Sequence, residues 1–125
     1  MKGQVRTPIG HMWVDKGVLW HRLDTEEAIT EEHAVDVIEA VHHLSAGQPM
    51  PAVVDMRSIS FATAAARNRF AGSSEDANET ATALVVRNTA SRLMAQAFLK
   101  VARPKRPVAV FVDLRKALAW AQGHR

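Results

Sequence analysis

The residues of this chain best suited to chemistry follow a short apolar run that ends in a carboxylate. Residues 52–54 are typical of a buried strand, Asp55 closes it, and a hinge leads to a helix that we expect to open near Thr63. The hydroxyls of Ser58, Ser60 and Thr63 could act as nucleophiles, but no histidine lies close in sequence to activate one. In open α/β sheets, ligands and partners bind beyond the carboxyl ends of the strands. This junction is therefore where we expect function.

A second group of polar residues lies at or just beyond the ends of three predicted strands, namely Asp55, Arg87, Asn88 and Asp113. Parallel strands would bring these ends together with the N-termini of the following helices, where free N–H groups attract anions. The candidates for holding an anionic ligand or an acidic partner loop are Arg57, Arg87, Asn88 and Arg92. The alternative is structural, because the two aspartates could cap helices or pair with arginines. A pocket lined by the arginines would favour a receptor for a small anionic or amphiphilic ligand.

Other catalytic and metal-binding signatures are missing from the sequence. It contains no Gly-x-Ser-x-Gly turn, no glycine-rich phosphate loop and no dinucleotide fingerprint. His33, His42 and His43 fall in one predicted helix, yet no two stand three or four residues apart. His11 and His21 could approach each other across a hairpin without an evident third ligand. We therefore expect no metal, no cofactor and no enzymatic activity.

Composition narrows the class of protein. The chain has 125 residues, 47% of them hydrophobic, which suits one globular domain spanning residues 1–125. It has no cysteine, no apolar leader and no stretch long enough to cross a bilayer, so we expect a soluble cytoplasmic protein. Residues 1–50 hold four basic and eight acidic residues, a net charge of −4, whereas residues 51–125 hold twelve and five, a net charge of +7. The two oppositely charged halves could attract each other in an oligomer, or their charged side chains could simply be solvated.

The first elements read as a hairpin and a helix. Residues 4–14 and 17–23 are strand-like around Asp15-Lys16-Gly17, so Trp13 and Trp20 should face each other across the strands. Thr30 is a suitable N-cap for the helix that follows, whose end is marked by Gly47 and Pro49. Its apolar row consists of Ala34, Val37, Ile38, Val41 and Leu44.

Strands and helices then alternate. We predict helices at 63–70 and 89–101, strands at 81–86 and 108–112, a polar loop at 72–80, and a last helix capped by Asp113. The helix at 89–101 places Leu93, Ala97 and Val101 in one row. Residues 103–106 form a basic cluster that we expect in an exposed loop; without an aromatic stacking platform it does not indicate nucleic acid. The order is β-β-α-β-α-β-α-β-α, which predicts an α/β fold with a mixed sheet whose later strands are parallel and flanked by helices.

This order, together with the segment Val53-Val-Asp-Met-Arg-Ser-Ile-Ser-Phe61, resembles the STAS family and its SpoIIAA-like anti-sigma-factor antagonists. The later segments 98–111 and 117–120 resemble a poorly characterised bacterial subgroup of that family. In the antagonists, an Asp-Ser pair after the hinge carries a serine that a partner kinase phosphorylates. The corresponding positions here are Ala62 and Thr63, so the aspartate is missing and a hydroxyl is retained.

The resemblance implies a non-enzymatic regulatory module that binds another protein or a second copy of itself, as a homodimer. Its interaction or switch residues would be Asp55, Arg57, Ser58, Ser60, Thr63 and Arg67. Phosphorylation of Thr63 or Ser60 is an extension of this hypothesis. The receptor for a small anionic ligand remains the alternative, and we expect neither nucleic acid nor membrane among the partners.

Overall fold

One six-stranded sheet organises the described part of the chain. The structure, a computed structural model, describes residues 4–25, 27–58, 63–71 and 79–124. The strands are β1 (Val5–Thr7), β2 (Gly10–Asp15), β3 (Val18–Leu23), β4 (Met50–Asp55), β5 (Glu79–Val85) and β6 (Val108–Phe111). The helices are α1 (Glu31–Ser45), α2 (Ala64–Ala71), α3 (Thr89–Ala102) and α4 (Leu114–Gln122). The strands lie in chain order, antiparallel from β1 to β3 and parallel from β3 to β6. The α/β class and the mixed sheet are confirmed.

The first predicted strand is two strands, so the sheet has one more than expected. A turn at Pro8 and Ile9 separates β1 from β2 and folds them into a tight hairpin. Proline fixes its own backbone and donates no hydrogen bond, which favours a turn at that point. Gly10 opens β2, where a Cβ would overlap the carbonyl oxygen of Arg22, so glycine is required there. With only three residues, β1 is too short for an alternation of apolar and polar residues that would distinguish it from β2 in the sequence.

The hairpin of β2 and β3 confirms the sequence reading. Its turn residues Lys16 and Gly17 both have positive φ, 52° and 77°, as a type I′ turn requires. Trp13 and Trp20 are cross-strand partners whose rings stack with centroids 6.0 Å apart. Such a pair adds about 0.2–1 kcal/mol to the sheet.

Helix α1 begins and ends as its residues predict. Thr30 accepts a hydrogen bond from the His33 backbone N–H, and the His33 ring accepts one from the Thr30 N–H, so the two residues satisfy each other. Ala46 and Gly47, both with positive φ, end the helix. The apolar row of α1 packs with Met12 and Leu19 into a core on one face of the sheet, and Ala66 of α2 joins it.

The opposite face has its own core beneath α4. Val53, Ala83 and Val85 pack there against Ala117 and Ala121. Asp113 caps α4 as predicted, accepting hydrogen bonds from the N–H groups of the first turn. Trp120 lies 5.9 Å from Phe111, ring centroid to centroid, so it packs the last helix onto the sheet.

The basic cluster at 103–106 is not uniformly exposed, which corrects the expected exposed loop. The Arg106 side chain is only 7% exposed, and its Nε donates to the Thr82 hydroxyl at 2.6 Å. Its Nη2 donates to the Phe70 carbonyl at 2.8 Å, and Glu79 lies 3.7 Å from Nε. Burial lowers the pKa of Arg106, an effect that the charge of Glu79 opposes. Arg106 thereby ties the end of α2 to β5.

Of the predicted polar loop, residues 72–78 lie outside the described part, and Glu79 and Thr80 belong to β5.

His21 is buried beneath α1 and does not meet His11. In the register of β2 and β3, His11 pairs with Arg22 and His21 with Met12, so the two histidines point to opposite faces. The Thr7 hydroxyl donates to the Gly10 carbonyl, so it accepts from His21 Nε2 at 3.0 Å. This arrangement requires a hydrogen on Nε2, which the neutral ring carries in its Nε2–H tautomer. Burial lowers the pKa of His21 from 6.5 to about 4, although Asp24 partly opposes the shift.

We predict that stability falls as the pH drops through the range from 6.5 to 4. The unfolded chain takes up a proton on His21 in that range and the folded chain does not, so between pH 7 and 4 the free energy of unfolding should fall by roughly 3 kcal/mol through this group. The variant His21→Gln keeps an N–H donor but has no group that titrates in this range. Urea unfolding at a series of pH values should show that its free energy of unfolding falls less steeply with decreasing pH than that of the wild type. The variant His42→Gln, at an exposed position of α1, is the control. An unchanged slope in His21→Gln would contradict the assignment.

Candidate functional site

The carboxyl ends of the parallel strands form a single edge, as the sequence predicted. Asp55, Val85 and Phe111 lie side by side in the register of β4, β5 and β6. The ladder continues past the strands, because the Met56 N–H donates to the Val85 carbonyl and the Val86 N–H donates to the Phe111 carbonyl, both at 2.8 Å. The residues that follow each strand are therefore held close together.

Asp55 is fully engaged by Arg57, two residues along. The Arg57 guanidinium binds both carboxylate oxygens, Nε to Oδ1 at 2.9 Å and Nη2 to Oδ2 at 2.7 Å, and its backbone N–H donates to Oδ1 at 3.1 Å. Burial alone would raise the pKa of Asp55, but these hydrogen bonds outweigh it and hold the pKa of the carboxyl below its usual range. The same contacts raise the pKa of Arg57. The pair fixes the turn that opens the hinge.

The remaining anion candidates are also brought to this edge. Arg87 Nε donates to the Arg57 carbonyl at 3.2 Å, which joins the end of β5 to the hinge. The Asn88 side chain caps α3 by accepting from the Ser91 N–H at 2.9 Å. Arg92 lies in the first turn of α3, and its buried Nε makes no hydrogen bond to any residue that the structure describes. These arginines lie at the same edge as Arg22, the register partner of Asp55 on β3, and Arg57 is the one bound to the Asp55 carboxylate.

Thr63 is the N-cap of α2. Its hydroxyl oxygen accepts a hydrogen bond from the Ala66 N–H at 3.1 Å, and its own N–H donates to the Ile29 carbonyl at 2.9 Å. The second bond ties the start of α2 to the segment before α1. Thr63 is half-buried, whereas Ser58 is exposed, and Ser60 lies outside the described residues together with Ala62.

The exposed side of α2 continues onto α3. Arg67 is exposed, and its guanidinium carbon lies 5.5 Å from the centroid of the Phe98 ring, within the range of a cation–π contact. Sequence periodicity identified the row of Leu93, Ala97 and Val101 but not that it faces solvent, as all three do. Periodicity alone does not show which of the two apolar sides of α3, the one with Leu93 or the one with Phe98, packs on the sheet.

Among the residues that the structure describes, no three histidine, aspartate or glutamate side chains come close enough to hold a metal ion. None of the described helices is long and apolar enough to cross a membrane.

Comparison with known proteins identifies the fold. Residues 12–125 match the family described as Domain of unknown function (DUF7793). No curated protein matches the chain. An uncharacterised DUF3478-family protein with a SpoIIAA-like fold from Shewanella loihica PV-4 is similar in structure, with a TM-score of 0.62 and 14% identity, over 97% of this chain and 98% of that one. An anti-sigma factor antagonist from Mycobacterium paratuberculosis has a TM-score of 0.59 and 14% identity, over 96% and 93%. The fold is SpoIIAA-like, as the sequence resemblance implied.

We predict that Thr63→Ala destabilises the chain and Thr63→Ser does not. Alanine removes the oxygen that accepts from the Ala66 N–H, which should lower the free energy of unfolding by about 1 kcal/mol, whereas serine keeps that oxygen. Urea denaturation of the two variants and the wild type measures the difference, with Ser58→Ala as a control at an exposed hydroxyl. Equal stability of all four proteins would show that Thr63 does not cap α2.

Proposed function

The chain belongs to the DUF7793 family, and we propose that residues 1–125 form one STAS-like domain that acts in the cytoplasm as a non-enzymatic regulatory module. It works by binding another protein through the hinge and α2, the surface between Arg57 and Arg69. A second copy of the chain, in a homodimer, is the other partner that this surface could take.

The observation that carries the proposal is the way the junction is anchored at both ends. Asp55 and Arg57 fix the exit from β4, and Thr63 fixes the entry to α2 by its bond to Ile29. Two of the polar groups suited to chemistry, those of Asp55 and Thr63, are thus engaged in holding the backbone. What α2 presents to solvent is a surface of alanine, arginine and asparagine side chains. Such a surface suits recognition of a protein better than turnover of a substrate.

The similar structures support the regulatory part of the proposal. One of them is an anti-sigma factor antagonist, a regulator that by its name opposes another protein. At 14% identity the likeness concerns the fold, and our proposal extends it to the mode of action. Phosphorylation of Thr63 or Ser60 is an extension of the same proposal. A phosphate on Thr63 would lie at the start of α2, where the helix dipole favours negative charge.

A receptor for a small anionic or amphiphilic ligand at the strand ends is the second candidate. It is favoured by one observation, the buried Arg92 Nε that lacks a hydrogen-bonding partner among the described residues. A buried unpaired donor is costly, and an anion that reached it would remove that cost. Arg87 and Asn88 would flank such a ligand.

We predict that a photo-crosslinking amino acid at Asn68, an exposed position of α2, captures a partner in the host cell. The same group at Glu39, exposed on α1, is the matched control and should capture little. A product at twice the 13.7 kDa chain mass identifies a second copy, and another mass identifies a different protein. Equal capture at both positions would contradict the proposed surface.

Mass spectra of the hinge peptides from the same cells test the proposed phosphorylation of Thr63 or Ser60. Hinge peptides without phosphate would overturn that extension of the proposal.

We predict for the second candidate that dodecyl phosphate binds with measurable heat in calorimetric titration. Arg92→Gln should weaken that binding by about tenfold, the size expected for losing one charge-assisted hydrogen bond. Arg115→Gln, at an exposed position of α4, is the control. If the wild type shows no heat, or if both variants bind like it, the receptor hypothesis fails.

A further inference from the structure

The outer face of α3 is apolar and uncovered. Leu93 is 58% exposed, Met94 75% and Val101 84%. Together with Ala97 they lie at helical spacing along one side, and we call these four residues the α3 stripe. A contiguous exposed apolar surface of this kind on a helix marks a place where another molecule binds.

The stripe does not belong to the core of the fold. The other side of α3 lies against β6 and α2, where Phe98 and Leu99 are half-buried. A helix needs one apolar face to pack on a sheet, and α3 has two. Because Arg67 lies over the Phe98 ring, the stripe adjoins the α2 surface already proposed for binding.

The charges around the stripe select the kind of partner. Lys100 follows the stripe on one flank, and Arg103 is exposed at the end of α3. Neither α2 nor α3 contains an aspartate or a glutamate. The acidic side chains of the described helices lie on α1 instead, at Glu31, Glu32, Asp36 and Glu39. An apolar row with a basic border is complementary to an apolar row with an acidic border.

In a second copy of the chain, neither α3 nor α1 offers an apolar row with an acidic border. Pairing α3 with α3 would bring together two basic borders without a carboxylate between them, and like charges across an interface are repulsive. Helix α1 has the acidic residues, but Val37, Ile38 and Val41 are buried in its own core. On its outer side only Val35 is apolar and larger than alanine, and it is partly buried, so α1 offers no exposed apolar row to cover the stripe.

We infer that the α3 stripe binds an amphipathic helix of another protein whose apolar row is bordered by acidic residues. The inference rests on the proposed function, because it names the class of partner for the surface that α2 begins. The partner helix lies along α3, with its apolar side chains on Leu93, Met94 and Val101 and its carboxylates toward Lys100 and Arg103.

The test uses a fluorescently labelled synthetic peptide with leucines at helical spacing and glutamates on both flanks, titrated with the full chain. Fluorescence anisotropy should show binding that weakens with salt, and a peptide with lysines in place of the glutamates should bind about tenfold more weakly or worse. The double variant Met94→Gln, Val101→Gln should lose binding of the acidic peptide. Both positions are exposed, so the fold should survive, which circular dichroism checks.

A charge exchange makes the test specific. Lys100→Glu should weaken binding of the acidic peptide and strengthen binding of the lysine peptide. Arg115→Glu makes the same change in net charge on α4 and should alter neither. Equal effects of the two variants would show that only the overall charge matters, and would overturn the inference.

Three other results would also overturn the inference that the α3 stripe binds an acidic amphipathic helix. Sedimentation that shows a wild-type dimer, lost in the double variant, would make a second copy the occupant. Binding of the stripe to vesicles of anionic phospholipid but not to the acidic peptide would make a membrane the occupant. Partner capture at Asn68 that the double variant leaves unchanged would refute the role of α3 while sustaining the proposed function. Absence of capture at Asn68 together with peptide binding at α3 would refute only the α2 surface.

Discussion

Burial of β4 on both of its faces is the constraint from which the arrangement of the other elements follows. Ala52 packs into the core beneath α1 and α2, and the next residue, Val53, packs into the core beneath α4. A strand with no polar face must be covered by helices on both sides. The parallel neighbours β3 and β5 also require crossover connections, which α1 and α2 supply on one face. This leaves the opposite face to the last helix, and α4 covers it over β4, β5 and β6.

The same parallel arrangement explains why so many polar side chains meet at one edge. Each parallel strand ends there, and each following helix begins there with N–H groups that need acceptors. Asn88, Asp113 and Thr63 supply those acceptors for α3, α4 and α2. Asp55 holds the hinge through Arg57. Residue types that suggest catalysis in a sequence are here used to end strands and start helices, which leaves the exposed helix surfaces as the place for recognition.

Helix α3 shows where this architecture is incomplete. It has 14 residues but packs at the edge of the sheet, on the four-residue strand β6. No described helix lies beyond it to cover its outer side, so Leu93, Met94 and Val101 remain in solvent. The charges are also divided, with the acidic residues concentrated on α1 and basic ones on α2, α3 and α4. An apolar surface and a one-sided charge border therefore occur together, a combination that suits binding of a partner of opposite charge.

The sequence by itself determined the features that depend on neighbouring residues. The Thr30 cap, the Lys16–Gly17 turn, the stacked tryptophans and the Asp113 cap were all predictable, because each is a contact within one element or across one tight turn. The order of strands and helices predicted the α/β class, and the resemblance of that order and of segment 53–61 to the STAS family implied the SpoIIAA-like fold. The register that pairs Trp13 with Trp20 also places His11 and His21 on opposite faces of the hairpin. Only the tertiary structure decided that Arg106 is buried and that the row on α3 faces outward. Periodicity identifies which residues share a face of a helix or strand, but which face meets the sheet depends on contacts between segments far apart in the chain.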